Sequence, residues 1–183
     1  MPDRRQFIAG AAAAAATGLA APAGAFELAP RLRPQLVPLR AGIAPGQLLV
    51  VPAQHYLYWT MPEGQAMRYG VGVGRAGLAF KGTAVIERKA RWPSWRPTDE
   101  MIEREPETYK QFEDGVPGGP DNPLGARALY LYQNGIDTYF RIHGTTAPRS
   151  IGRSVSNGCI RMLNAHVEDL YARVPVGTRV TVF

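Results

Sequence analysis

The sequence predicts a mainly β, loop-rich domain with small helices. Glycine (20) and proline (16) are both abundant, short β-prone runs alternate with turn residues, and the second half carries a strong hairpin signature. With 183 residues, 45% of them hydrophobic and 20% charged, the chain suffices for one domain with a real core and is too short for two ordinary ones. It contains no internal repeat.

Residues 1–25 read as an export signal outside that domain. Met1-Pro2-Asp3-Arg4-Arg5-Gln6-Phe7-Ile8 is a basic start, an alanine-rich run extends to about Ala21, and a small-x-small site ends at Ala25. The paired arginines resemble a twin-arginine signal, with Asp3 where Ser or Thr is usual. The alanine-rich run is weakly apolar and suits such a signal better than the alternative, an uncleaved membrane anchor, since a span wants about 20 strongly apolar residues; no span is expected in the mature form. Residues 26–45 carry several prolines and no period, and read as a linker or extended arm. Residues 46–183 are the domain.

Within the domain, Leu48-Leu49-Val50-Val51 and Tyr56-Leu57-Tyr58-Trp59 are strand-like, Pro62-Glu63-Gly64-Gln65 is a turn, and Ala66 to Val73 returns as a strand. Thr83 to Glu87 is another strand. Pro97-Thr98-Asp99-Glu100 opens a helix with acidic residues in its first turn, and Met101 and Ile102 read as its core face. The proline- and glycine-rich stretch 115–125 is a long shaped loop, the kind that tends to carry function. Ala128–Gln133 and Ile136–Ile142 flank Asn134-Gly135, the favoured pair for a two-residue hairpin turn. Asn164 caps a last helix with Val167, Leu170, Tyr171 and Val174 on its apolar face, and Thr178–Phe183 closes the chain as a strand.

Charge decides little and cysteine decides more. Without Arg4, Arg5 and Asp3 the mature chain holds 19 basic and 14 acidic residues, and no basic run or stacking-aromatic stripe stands out, so nucleic acid is not the expected partner. The single cysteine, Cys159, has no intramolecular partner. A lone cysteine in an exported protein is either a buried bystander or a reactive thiol.

His143 ends the hairpin's second strand, and a glycine- and serine-rich loop joins it to Ser156-Asn157-Gly158-Cys159-Ile160-Arg161-Met162. A thiol attacks as thiolate, and only about 3% of an ordinary cysteine is ionised at pH 7. A neighbouring imidazole raises that share and returns a proton to a leaving amine. Gly158 lets backbone approach a substrate, and the amides around Cys159 suit the oxygen of a tetrahedral intermediate. A cysteine and a histidine alone leave the inert-thiol reading equally open.

The residues Ile142-His143-Gly144-Thr145 and Ser156-Asn157-Gly158-Cys159-Ile160-Arg161-Met162 resemble the active-site motif of L,D-transpeptidase (YkuD-type, ErfK/YbiS-like) catalytic domains. The likeness extends through Trp92-Pro93-Ser94-Trp95, the 117–125 loop, Leu170-Tyr171 and Pro175-Val176-Gly177-Thr178, so roughly residues 46–183 are covered. It implies a β-sandwich-like domain of mixed sheets. It implies that Cys159 attacks the third residue of a peptidoglycan stem peptide and expels D-alanine, then passes the acyl group to an amine on another stem, to a wall-linked protein or to water. It also implies His143 as base, the Gly144 carbonyl orienting its ring, an oxyanion hole from the amides of Asn157, Gly158 and Cys159, and Ser156 and Arg161 on the substrate side. Asn157 stands where many members have a second histidine. Lys81-Gly82-Thr83-Ala84-Val85-Ile86 stands where a Thr-Pro-x-Gly is frequent, which bears on the outer cleft.

Other residues read as structural. His55 opens a strand, His166 faces solvent from the last helix, and Trp92 and Trp95 either line a peptide groove or simply pack. No metal-ligand spacing appears, and neither metal nor cofactor is expected. The competing functions are hydrolysis of the same acyl-enzyme (an L,D-carboxypeptidase or endopeptidase), a non-catalytic wall-binding module, and a basic nucleic-acid-binding protein. The expected location is periplasmic or cell-wall associated.

Overall fold

Alternation of apolar side chains turns the β-prone runs into strands, and glycine and proline separate them. The structure is a computed structural model describing residues 26–183, so the export-signal reading lies outside the described residues. Strands β1 (Gln35–Pro38), β2 (Leu48–Val51), β3 (Tyr56–Met61), β4 (Gln65–Gly70), β5 (Val73–Gly74) and β6 (Gly82–Arg91) come first. Two short helices follow, α1 (Asp99–Arg104) and α2 (Pro106–Tyr109). Then come β7 (Arg127–Gln133), β8 (Ile136–His143), β9 (Ser154–Ser156), β10 (Ile160–Arg161), α3 (Asn164–Arg173) and β11 (Arg179–Val182). No helix among the described residues is long and apolar enough to cross a membrane.

Nine strands form one sheet in the order β1-β4-β3-β2-β11-β6-β7-β8-β10, and β5 pairs with β9 apart from it. The sheet is mixed, because β11 runs parallel to β2 and β10 parallel to β8. The chain is thus mainly β with small helices, as the sequence predicts. The two sides of the sheet also meet. Gly72, just past β4, exchanges backbone hydrogen bonds of 2.9 and 2.8 Å with Arg161 of β10. That closure puts Tyr69 of β4 and Ile142 of β8, distant in strand order, into one core cluster with Leu48, Leu57, Ile86 and Leu129. Val167 and Leu170 bring α3 onto the same cluster, and each such side chain contributes about 1.5–3 kcal/mol by leaving water. Lys89 holds the far end of α3 by donating to the carbonyls of Tyr171 and Val174 at 2.7 and 2.6 Å, satisfying groups a helix end leaves free.

Several elements differ in detail from the sequence reading. The proline-rich arm is partly docked: Leu32 is 3% exposed, and β1 adds to the edge of β4. Strand β6 outruns Thr83–Glu87 because β11 and β7 pair it on both sides. Thr98 caps α1, its hydroxyl accepting from the Met101 amide at 3.3 Å. Met101 and Ile102 are not core, since α1 buries no residue; the helix lies over a cleft instead. Asn134 and Gly135 turn the hairpin with φ of 52° and 74°, the left-handed pair such a turn requires. In the shaped loop, buried Asn122 donates to the carbonyls of Val116 and Pro117, both at 3.0 Å, and accepts from the Leu124 amide at 2.9 Å.

Candidate active site

The hairpin that delivers His143 is not a plain strand. Between the pairs Tyr130↔Arg141 and Tyr132↔Asp137, Thr138, Tyr139 and Phe140 of β8 stand against Leu131 of β7 alone. The bulge is held locally: Thr138 Oγ1 donates to the Leu131 carbonyl at 2.6 Å, and the Tyr139 amide donates to Asp137 Oδ1 at 2.8 Å. The Arg141 guanidinium grips both oxygens of Asp137 at 2.7 and 2.9 Å. Tyr139 sits at φ 60°, and its carbonyl lies 3.9 Å from Cys159 Sγ. Sequence reasoning missed Tyr139. The available signal was Asp137, whose side chain accepts the amide two residues on, as in an Asx turn.

His143 is 4% exposed and its Nδ1 lies 2.6 Å from the Gly144 carbonyl. A carbonyl only accepts, so Nδ1 carries the proton and the Nε2 lone pair is left available. Burial pulls the imidazole down to about 4, the Arg161 and Arg141 charges adding to it and the Gly144 and Leu124 carbonyls opposing. Burial likewise pushes the Cys159 thiol up; a backbone bond at Arg141 and the Arg141 and Arg161 charges pull it down, while Asp137 raises it. Both shifts favour the uncharged forms, a thiol and a neutral imidazole.

Gly158 shapes the nucleophile loop. Its φ is +121°, and a Cβ there would meet the Phe140 ring at 2.3 Å and the Leu78 carbonyl at 2.6 Å. Gly74 of β5 packs back to back with it, a Cβ on Gly74 lying 2.9 Å from the Gly158 Cα. Ser156 is 1% exposed; its hydroxyl donates to the Cys159 carbonyl at 2.6 Å and accepts the Gly158 amide at 3.2 Å. It lines the cleft floor by holding the loop. Asn157 reaches across to the opposite wall, its Nδ2 donating to Tyr109 Oη at 2.6 Å and its Oδ1 accepting from Arg75 and Arg104 at 2.7 and 3.1 Å.

These groups line a cleft of about 760 Å³, floored by Ser156, Cys159 and His143 and covered by residues of α1 and α2. Trp95 lines it, edge-on to Tyr109 and Phe112 with ring centres 6.3 and 5.7 Å away. Trp92 is 44% exposed and lies outside it. Arg161, paired in register with His143, has no side-chain hydrogen bond or ion pair among the described residues. Neither remaining histidine joins the site. His55 bonds Ser154 Oγ at 3.0 Å. His166 corrects the solvent-facing expectation: its Nδ1 is buried without a partner among the described residues and its ring is 6.3 Å from that of Tyr69, because α3 packs down on the core.

Fold and site together define a mixed-sheet β domain that gathers one free thiol and one buried imidazole into a covered cleft. The L,D-transpeptidase catalytic domain (YkuD) matches residues 45–182, and the chain belongs to that family. It is 36% identical over 138 residues to the probable L,D-transpeptidase ErfK/SrfK of Escherichia coli K12, covering 74% of this chain and 43% of that protein. The chain therefore spans less than half of that relative. A Brucella melitensis crystal structure titled a probable carnitine operon oxidoreductase is 51% identical, with a TM-score of 0.58 over 85% of this chain and 96% of that one. The Enterococcus faecium L,D-transpeptidase C442S mutant, 15% identical over 77% of this chain and 50% of its own, shares the fold with a TM-score of 0.57.

Proposed function

We propose that the chain is a peptidoglycan L,D-transpeptidase with Cys159 as nucleophile and His143 as base. One observation carries the reading: the cleft holding the free thiol also holds a buried imidazole whose Nδ1–H is tied to the Gly144 carbonyl, leaving Nε2 to take a proton. Nε2 accepts the thiol proton as sulfur attacks the carbonyl of the third stem residue. The amides of Asn157, Gly158 and Cys159 receive the oxyanion; those of Asn157 and Cys159 have no acceptor among the described residues, and that of Gly158 is shared with Ser156. The C–N bond then breaks, the imidazolium protonates the departing D-alanine amine, and a thioester remains. An amine of a second stem or a wall-linked protein attacks the thioester, the C–S bond breaks, and the amine proton returns through His143 to sulfur. Arg161 is suited to a substrate carboxylate, because Arg96, Arg104 and Arg141 of the same cleft each already hold an acidic partner. The proposed setting is periplasmic or wall-associated.

Water in place of the amine gives the carboxypeptidase or endopeptidase reading, and a free thiol and a buried imidazole lining one cleft weigh against a purely binding module. A redox reading after the Brucella title has one sequence feature behind it, the spacing Gly72-Val73-Gly74-Arg75-Ala76-Gly77. That run contains β5 and turns toward β6 with no helix following it, so it lacks the helix N-terminus that receives a pyrophosphate.

Mass spectrometry after incubation with a tetrapeptide-stem muropeptide, beside Cys159→Ala, tests the proposal. A thioester adduct with loss of D-alanine in the wild type alone is expected, and cross-linked dimers against trimmed monomers separate transfer from hydrolysis. An unmodified Cys159 that still titrates, with no product, overturns it.

A further inference from the structure

Asn164 does not do what its place in the sequence suggests. Leu163 occupies the N-cap of α3 and no side chain caps it. The Asn164 Oδ1 instead accepts from two distant amides, Ala126 and Thr145, each at 3.1 Å. Two glycines close around that oxygen: a Cβ on Gly125 or on Gly144 would lie 2.2 Å from it. The contact therefore needs both glycines and an acceptor of this reach from the first turn of α3.

What makes it functional is the peptide unit it grips. The Gly144–Thr145 peptide presents its carbonyl to His143 Nδ1 at 2.6 Å and its amide to Asn164 Oδ1 at 3.1 Å. Because the unit is planar, fixing the N–H end fixes the direction of the carbonyl, and donation from the amide strengthens the carbonyl as an acceptor. The strand side is anchored as well, the Gly144 amide donating to the Arg127 carbonyl at 3.0 Å. Asn164 thus restrains the end of a glycine peptide that has most freedom to turn.

We propose that Asn164 is a positioning residue: through the Gly144–Thr145 peptide it holds His143 in the Nδ1–H tautomer with Nε2 available to the thiol. The inference rests on the transpeptidase reading for its effect on rate, not for its effect on the ring. Asn164 Nδ2 donates to no group among the described residues, so aspartate supplies the same acceptor.

The test compares Asn164→Ala and Asn164→Asp with the wild type in two readouts. One is the ¹⁵N shift pair of the His143 ring, which reports the tautomer without substrate. The other is kcat and KM on the muropeptide. Asn164→Ala is expected to lose the single Nδ1–H signature and about 100-fold in kcat with KM within about twofold, the scale of a misplaced catalytic group; Asn164→Asp is expected to keep the signature and regain most of the rate. If Asn164→Ala does not fold by its thermal melt, Asn164→Ser, whose shorter hydroxyl cannot reach both amides, replaces it with the same readouts. A folded Ala or Ser variant that keeps both signature and kcat overturns the proposal, as does an Asp variant that loses the signature. Should the wild type form no acyl-enzyme, the functional reading fails while the tautomer still decides the role of Asn164.

Discussion

The floor and the roof of the cleft are built by different physics. The floor is backbone against backbone: Gly74 of β5, Gly125 just before β7, Gly144 just after β8 and Gly158 between β9 and β10 are all buried at contacts that admit no Cβ. The roof, α1 and α2, buries no residue and is held by side-chain bonds from Asn157, by the Arg75–Glu105 pair and by the Trp95–Tyr109–Phe112 contacts. Close-packed backbone leaves nothing to adjust, so errors in the floor are costly. Exposed polar links are individually weak and can break and re-form. Cys159 and His143 sit with the close-packed part of the cleft, and α1 and α2, held by polar links and aromatic contacts, line the rest of it.

The largest expected effect comes from putting a methyl group into the floor. Gly158→Ala combines strained φ with overlap on Phe140 and Leu78, and a loss of about 3 kcal/mol or more is expected in a denaturant melt, together with loss of acyl-enzyme formation. A neutral result would mean that the floor is as forgiving as the roof.

Next is the acid limb of stability. His143 is held to about 4 when folded against about 6.5 when unfolded, so the unfolded chain binds a proton the folded one refuses. The contribution is fully present above about pH 6.5 and lost as pH falls toward 4, amounting to about 3 kcal/mol. His55 and His166, both lowered by burial first, act in the same direction. His143→Gln should flatten this limb in melts taken at intervals from pH 7 to pH 4; an unchanged slope would place the imidazole in water rather than in the floor.

Smaller effects belong to the roof. Asn157→Ala removes three side-chain bonds but no backbone amide, and a roughly 3–10-fold rise in KM with little change in melting temperature is expected. A loss of stability like that of Gly158→Ala would erase the distinction between the two regions. Smallest is Arg75→Ala. Its pair with Glu105 leaves the two side chains 44% and 30% exposed, and about 0.5 kcal/mol is expected in the same melt.

Legibility followed the range of the interactions. The Asn134-Gly135 hairpin, the Thr98 helix start and the motif around Cys159 were readable because each depends on neighbours in the chain. Four other features were not. The bulge that turns the Tyr139 carbonyl toward the thiol needs Leu131 on the facing strand, the half-buried ring of His166 needs Tyr69, and α1 covers a cleft instead of joining the core. Asn164 looked like a helix cap because a cap is the local use of an asparagine there.

The sequence by itself determined the strand-rich class, the family, and the identity of the two groups in the cleft, since residue types at short spacing encode them directly. Only the tertiary structure decided the rest: the meeting of Gly72 with Arg161, the glycine-lined floor, and the hold of Asn164 on the peptide behind His143. Those contacts join residues far apart in the chain, and no local periodicity records a distance that exists only once the sheet has closed.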